Sequence, residues 1–162
     1  MFLSILEIPV FHQRRLTMQR LTTFHARNIL AQDSRRKSPG AIGLKCNVMA
    51  WAILLDEEFA AWLGALLETP REEILAYVEL LRERGPKLGR PYADTVKSSR
   101  YSNMKELRIQ IAGDPWRVLF AFDPRRSAVL LVGGNKGPDK RWYKTNVPLA
   151  DKRFAKHLKT LA

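Results

Sequence analysis

Cysteine is nearly absent: Cys46 stands alone in 162 residues, so no disulfide can form within the chain and no zinc site can be built from several thiolates. Acids are scarce, with 16 Asp and Glu against 28 Lys and Arg, which leaves a formal charge of +12. No apolar run approaches the roughly 20 residues that a membrane-spanning helix needs. There is no His-Glu-x-x-His pair, no Gly-x-x-x-x-Gly-Lys-Ser/Thr phosphate loop, no Gly-x-Ser-x-Gly elbow, and no compact carboxylate group to take magnesium. The motif-borne routes to metalloprotease, nucleotide hydrolase and serine hydrolase chemistry are therefore closed, and neither cofactor nor metal is expected. What remains is a basic chain whose chemistry must come from Arg, Lys, Tyr and a few carboxylates, with a reducing cytoplasm as its expected compartment.

The length suits one ordinary domain. Residues 1–48 hold eight basic side chains against two acids, a balance of +6 and so half of the total. Positive charge on both parts suits a polyanionic partner, and binding would then weaken as salt rises because each neutralised phosphate releases counterions. Solubility alone explains the same charge. Residues 1–48 lack the basic start and small-residue cleavage site of a secretory signal. Their Arg-rich, acid-poor composition suits a transit peptide, but it also follows if translation begins at Met49. The reading adopted is a basic N-terminal extension, disordered or from an upstream start, with at most a helix near 19–31, followed by one domain over 49–162.

From Met49 the pattern sharpens. Trp51 to Leu55 reads as a short strand. Asp56 can cap a helix in which Phe59, Trp62, Leu63, Leu66 and Leu67 recur on one face. Thr69, Pro70 and Glu72 then suit the start of a second helix, with Ile74, Leu75, Val78 and Leu81 inward and Gly85-Pro86 as its stop. The short connection predicts an antiparallel helical hairpin. Residues 87–102 read as a long loop. Period-two alternation follows in 104–111, 116–122 and 127–133, separated by Gly113-Asp114-Pro115 and by Asp123-Pro124-Arg125-Arg126, which predicts a three-stranded antiparallel meander. A last helix from about Pro148 presents Phe154, Leu158 and Leu161. The fold class is α+β, with helices expected on one face of the sheet.

The polar residues suited to chemistry gather in the second half. Arg108 and Arg117 lie on strands joined by a tight turn, and a basic loop after Gly133-Gly134 holds Lys136, Lys140, Arg141, Trp142, Tyr143 and Lys144. Guanidiniums can clamp a phosphate, and Trp142 or Tyr143 can stack on an unpaired base. Cleaving RNA by acid–base chemistry needs a group to take the 2′-hydroxyl proton, one to protonate the 5′ oxygen, and fixed cations where phosphorane charge grows. The candidate catalytic set is Arg108, Arg117, Lys136, Arg141 and Tyr143, with Lys105, Lys140, Trp142 and Lys144 as RNA contacts. Glu106 is either a further base or the ion-pair partner of an arginine, and each arginine alone is equally a solvated strand position. His157, between helical lysines, reads as a surface residue.

The runs Lys105-Glu106-Leu107-Arg108-Ile109, Trp116-Arg117-Val118-Leu119-Phe120-Ala121-Phe122-Asp123 and Leu130-Leu131-Val132-Gly133-Gly134, with Gly89-Arg90-Pro91 before them and Arg141-Trp142-Tyr143 after, resemble the phage-derived HigB-like branch of the RelE/ParE toxin superfamily. The similarity covers residues from about 49 onward. It implies a RelE-like fold, cleavage of mRNA in the ribosomal A site, and silencing by a helix-turn-helix antitoxin of the HigA type. Arg117 matches the arginine after the meander turn. Arg108 falls near the preceding strand's basic position, and Glu106 stands where RelE-like members carry lysine. Two other functions fit the same residues: a ParE-like inhibitor of DNA gyrase, and a basic RNA- or ribosome-binding module without catalysis.

Overall fold

The computed structural model describes residues 50–161, and the expectations for residues 1–48 lie outside the described residues. Strand β1 (Ala52–Leu55) leads to Asp56, whose carboxylate accepts from the amides of Glu58 and Phe59 at 3.1 and 3.4 Å. That cap starts α1 (Glu57–Ala65), with Glu57 and Glu58 at its positive end. Helix α2 (Glu68–Arg84) begins on Leu67 without a side-chain cap, two residues ahead of the Thr69 cap read from sequence. Leu67 sits at this junction and is 81% exposed, so it leaves the buried stripe to which its spacing assigned it. Gly85 ends α2 at φ +54, and a Cβ there would lie 2.2 Å from Trp51 Nε1; both the left-handed turn and the nearby indole require glycine.

The other elements are β2 (Ala93–Thr95), β3 (Met104–Ile111), β4 (Asp114–Phe122), β5 (Ser127–Asn135) and α3 (Trp142–Leu161). They complete a five-stranded sheet in the order β1-β5-β4-β3-β2, with β1 parallel to β5 and every other pair antiparallel. The expected meander is its centre. Short β2 forms inside the segment read as a loop, and β5 runs two residues past Gly133. The β3–β4 hairpin turns on Ala112 and Gly113, both at positive φ, as a tight primed turn requires. Asp114 and Pro115 are therefore the first residues of β4, paired with Ile111 and Gln110, and not turn residues.

Helices cover both faces of the sheet, which corrects the one-face expectation. Leu107, Ile109, Val118, Phe120 and Leu130 pack with Phe59, Ile74 and Leu81 of α1 and α2. Met104, Leu119, Ala121, Val129, Leu131 and Val132 pack with Trp142, Val147, Ala150 and Phe154 of α3. A bulge helps to widen this second face: Leu119 pairs with Val132 but Phe120 with Leu130, so Leu131 is the extra residue and joins Val132 beneath α3. Leaving Leu119, Leu131 and their neighbours in water would forfeit about 1.5–3 kcal/mol for each large side chain, which is why α3 crosses to this side.

Polar contacts then fix the position of α3. Arg153 donates to the carbonyl of bulge residue Leu131 at 2.6 Å, pairs with Glu58, and faces the Asp56 cap at 3.5 Å. Buried Asp123 accepts from the Ser127 amide at 2.8 Å and lies 3.0 Å from His157 Nε2. His157 is thus a half-buried tether between the helix and the β4–β5 turn, not a surface residue. Asp151 ties the β2–β3 loop down by accepting from Ser99 Oγ at 2.5 Å and the Arg100 amide at 3.2 Å.

Gly133 faces α1, and a Cβ on it would lie 2.2 Å from the Trp62 ring. Gly133→Ala is expected to cost about 1–3 kcal/mol of unfolding free energy, as overpacking does, measured by urea denaturation. Wild-type stability in this variant would mean that the indole moves aside without cost.

Candidate active site

Alternation on β3 turns Glu106, Arg108 and Gln110 to the side opposite Leu107, Ile109 and Ile111. On β4 the same face carries Arg117, the Cα partner of Arg108, and β5 supplies Gly134 opposite Arg117. The indole of Trp142 packs over Gly134, where a Cβ would meet its Nε1 at 3.2 Å. That docking opens α3 six residues before the start expected at Pro148, which lies within the helix. It also sets the next residue, Tyr143, over the strands.

Tyr143 donates its hydroxyl hydrogen to Glu106 Oε2 at 2.7 Å, and Arg117 Nε lies 3.7 Å from Glu106 Oε1. Both charged side chains are about nine-tenths buried. Arg117 also donates to the carbonyl of Trp116 at 2.8 Å, while its Nε has no hydrogen-bond acceptor among the described residues. The Lys136 ammonium stands 5.8 Å from the centre of the Tyr143 ring, and the Lys136 backbone amide donates to the Pro115 carbonyl at 2.8 Å. Burial first, then the hydrogen bond and charge of Glu106, push the Tyr143 phenol above its ordinary value and outweigh the opposing pull of Arg117. Tyr143 therefore keeps its proton at neutral pH and acts as a donor. The cluster provides a fixed carboxylate to accept a proton, a guanidinium and an ammonium for negative charge, and a phenol that orients the carboxylate.

Beside this cluster runs a cleft of about 350 Å³ lined by Arg90, Pro91, Arg108, Gln110 and Arg117. Of the residues expected to act together, Arg117, Lys136 and Tyr143 converge. Arg108 adjoins them through its pairing with Arg117, but its guanidinium reaches toward Asp94 at 3.5 Å. Lys140, Arg141 and Lys144 are exposed around the start of α3. Two assignments need correction. Trp142 is 6% exposed and part of the core beneath α3, so its ring is not a platform for a base. Lys105 alternates with Glu106 and Met104 and lies on the α1–α2 side, away from the cluster. Glu106, read only as a pairing partner or further base, is instead the centre of the site; its place one step before Arg108 on an alternating strand gave no sign of the phenol that would bond it. Asp94 and Arg90 fell in a segment without periodicity and were missed as site neighbours.

Among the described residues no three His, Cys, Asp or Glu side chains gather as a metal-ligand set. No helix among them is long and apolar enough to cross a membrane.

Residues 61–155 match the family described as phage-derived protein Gp49-like, and the chain belongs to that family. Two proteins of Mycobacterium tuberculosis (strain ATCC 25618 / H37Rv) are similar to it. One, named "Putative toxin HigB2", is 44% identical over 119 residues, which are 72% of this chain and 59% of that protein. The other, named "Putative toxin HigB3", is 47% identical over 103 residues, 63% of this chain and 89% of that protein. The chain thus spans less than two thirds of the length of the first relative. A solved structure of a double arginine-to-alanine mutant of E. coli toxin RelE in the free state overlaps 65% of this chain and 98% of its own, with a TM-score of 0.47 and 16% sequence identity. The HigB-like resemblance read from runs between Gly89 and Tyr143 is borne out by the family and the two relatives.

The raised Tyr143 phenol has a definite sign for stability. A group whose value is higher in the folded chain contributes stability that is complete below its unfolded value near 10 and disappears as pH rises through the folded value. Tyr143→Phe is expected to lower unfolding free energy at pH 7 by about 0.5–1.5 kcal/mol and to give a shallower alkaline decline than wild type. Parallel alkaline limbs in the two proteins would contradict the bond.

Proposed function

We propose that this chain is the toxin of a type II toxin–antitoxin pair, a ribosome-dependent endoribonuclease of the cytoplasm that cuts translated mRNA by metal-independent acid–base catalysis and is silenced by a helix-turn-helix antitoxin of the HigA type. The observation that carries the reading is the buried Glu106 carboxylate between the Tyr143 hydroxyl and the Arg117 guanidinium, beside a cleft lined with arginines. The toxin names of two relatives support it.

In this reading an RNA phosphodiester lies against Arg117 and Arg108. The 2′-hydroxyl proton passes to Glu106 as the 2′ oxygen attacks phosphorus, and the guanidiniums meet the charge that grows on the phosphorane oxygens. The bond from phosphorus to the 5′ oxygen breaks, Lys136 protonates the leaving oxygen, and the products are a 2′,3′-cyclic phosphate and a 5′-hydroxyl. Tyr143 stays protonated and keeps Glu106 in position. Lys140, Arg141 and Lys144, exposed around the start of α3, attract the rest of the RNA backbone.

Expression of the full chain is expected to halt growth and to leave mRNA ends that map to codons in the ribosomal A site. Arg117→Ala should reduce cleavage by about 10²- to 10³-fold, the usual loss when one preorganised donor to the transition state is removed. Undiminished cleavage in that variant removes Arg117 from the mechanism, and inhibited gyrase with intact transcripts replaces the nuclease by a gyrase inhibitor.

A further inference from the structure

Outward from Glu106 the sheet continues to β2, where Asp94 is its Cα partner. Arg90 donates to Asp94 Oδ2 from Nε at 2.9 Å and from a terminal nitrogen at 2.6 Å, and Arg108 approaches the same oxygen at 3.5 Å. The second Asp94 oxygen accepts from the Thr95 amide at 2.9 Å, so the carboxylate is fixed to the backbone. One carboxylate thus stands between two guanidiniums, and the group carries one net positive charge. Arg90 spends two of its five donors on Asp94, and its side chain remains 73% exposed on the cleft that Arg117 also lines. An exposed ion pair of this kind contributes little to folding, so stability does not explain the arrangement. Two guanidiniums aligned by one carboxylate are suited instead to an anion that lies along the cleft.

We propose that Arg90, aligned by Asp94, binds a backbone phosphate of single-stranded RNA next to the phosphate held at Arg117, so that the cleft takes at least two consecutive phosphates of one strand. The proposal rests on the reading that this face of the sheet holds RNA. Arg108, between the two positions, divides its donors between Asp94 and the strand. Asp94 is a positioning residue: it touches no phosphate and sets the direction of both guanidiniums.

The test uses the purified full chain and a short single-stranded RNA methylated at every 2′-hydroxyl, which cannot be cut through that oxygen. Affinity is measured by fluorescence anisotropy over a range of salt concentrations for wild type, Arg90→Ala, and Lys159→Ala. Lys159→Ala makes the same change in charge about 24 Å from Tyr143 along α3. Arg90 and Lys159 are both exposed, so neither change threatens the fold. Arg90→Ala is expected to bind several-fold more weakly and to lower the slope of log affinity against log salt by about 0.7, the share of one phosphate of a single strand. Lys159→Ala should keep the wild-type slope. Equal affinities and slopes for the two variants overturn the proposal. Cleavage of ribosome-bound mRNA by wild type, followed in parallel, separates the two readings: if wild type cuts and the variants bind alike, only the Arg90 position falls. If wild type neither binds RNA nor cuts it, both readings fall.

Discussion

A carboxylate removed from water needs partners, and in this chain the partners of Glu106 come from separate elements. Tyr143 on α3 donates to one oxygen and Arg117 on β4 faces the other. At 3.7 Å, with an effective dielectric of about 20, the attraction between Glu106 and Arg117 is about 4–5 kcal/mol. Dehydrating the two ions costs several kcal/mol each, so the pair adds little net stability. A hydrophobic pair would serve the core as well. The arrangement is therefore better understood as a site than as a support, and its geometry depends on α3 being docked where Tyr143 can reach β3.

Everything near that docking favours it. The bulge at Leu131 helps to widen the apolar surface under α3, and Gly134 leaves room for the Trp142 indole. Arg153 and His157 fasten the later turns of the helix to the Leu131 carbonyl and to Asp123. These buried polar residues differ from Arg117 in their role. Asp123 and Asp151 accept hydrogen bonds that close a turn or hold a loop, and Arg153 donates to a strand carbonyl, whereas Arg117 lines an open cleft.

Much of this was legible in the residues and some was not, for identifiable reasons. Period-two alternation revealed the meander and predicted that Arg108 and Arg117 would be neighbours, because strand pairing follows directly from a tight turn. The same alternation puts Lys105 on the wrong side. Alternation puts Leu119 and Ala121 on the face of Arg117 and so makes that face partly apolar, but periodicity does not say which helix covers which face, and α3 crosses to a side where no helix is expected. The basic loop around Trp142 suggests an exposed aromatic at an interface; its burial depends on a missing Cβ eight residues earlier, a tertiary fact that no local pattern carries. Glu106 and Asp94 gained their importance from residues 37 and four positions away in the chain, respectively, through side-chain bonds that composition cannot predict.

Glu106→Gln is nearly isosteric and can still accept from the Tyr143 hydroxyl, but it cannot serve as the proton acceptor. Cleavage of ribosome-bound mRNA by this variant, measured together with its urea unfolding midpoint, addresses the role of the buried carboxylate without confusing it with loss of fold. Cleavage is expected to fall by about 10²- to 10⁴-fold, the range of a lost general base, in a protein that remains folded. Wild-type cleavage by a folded Glu106→Gln variant would contradict that role.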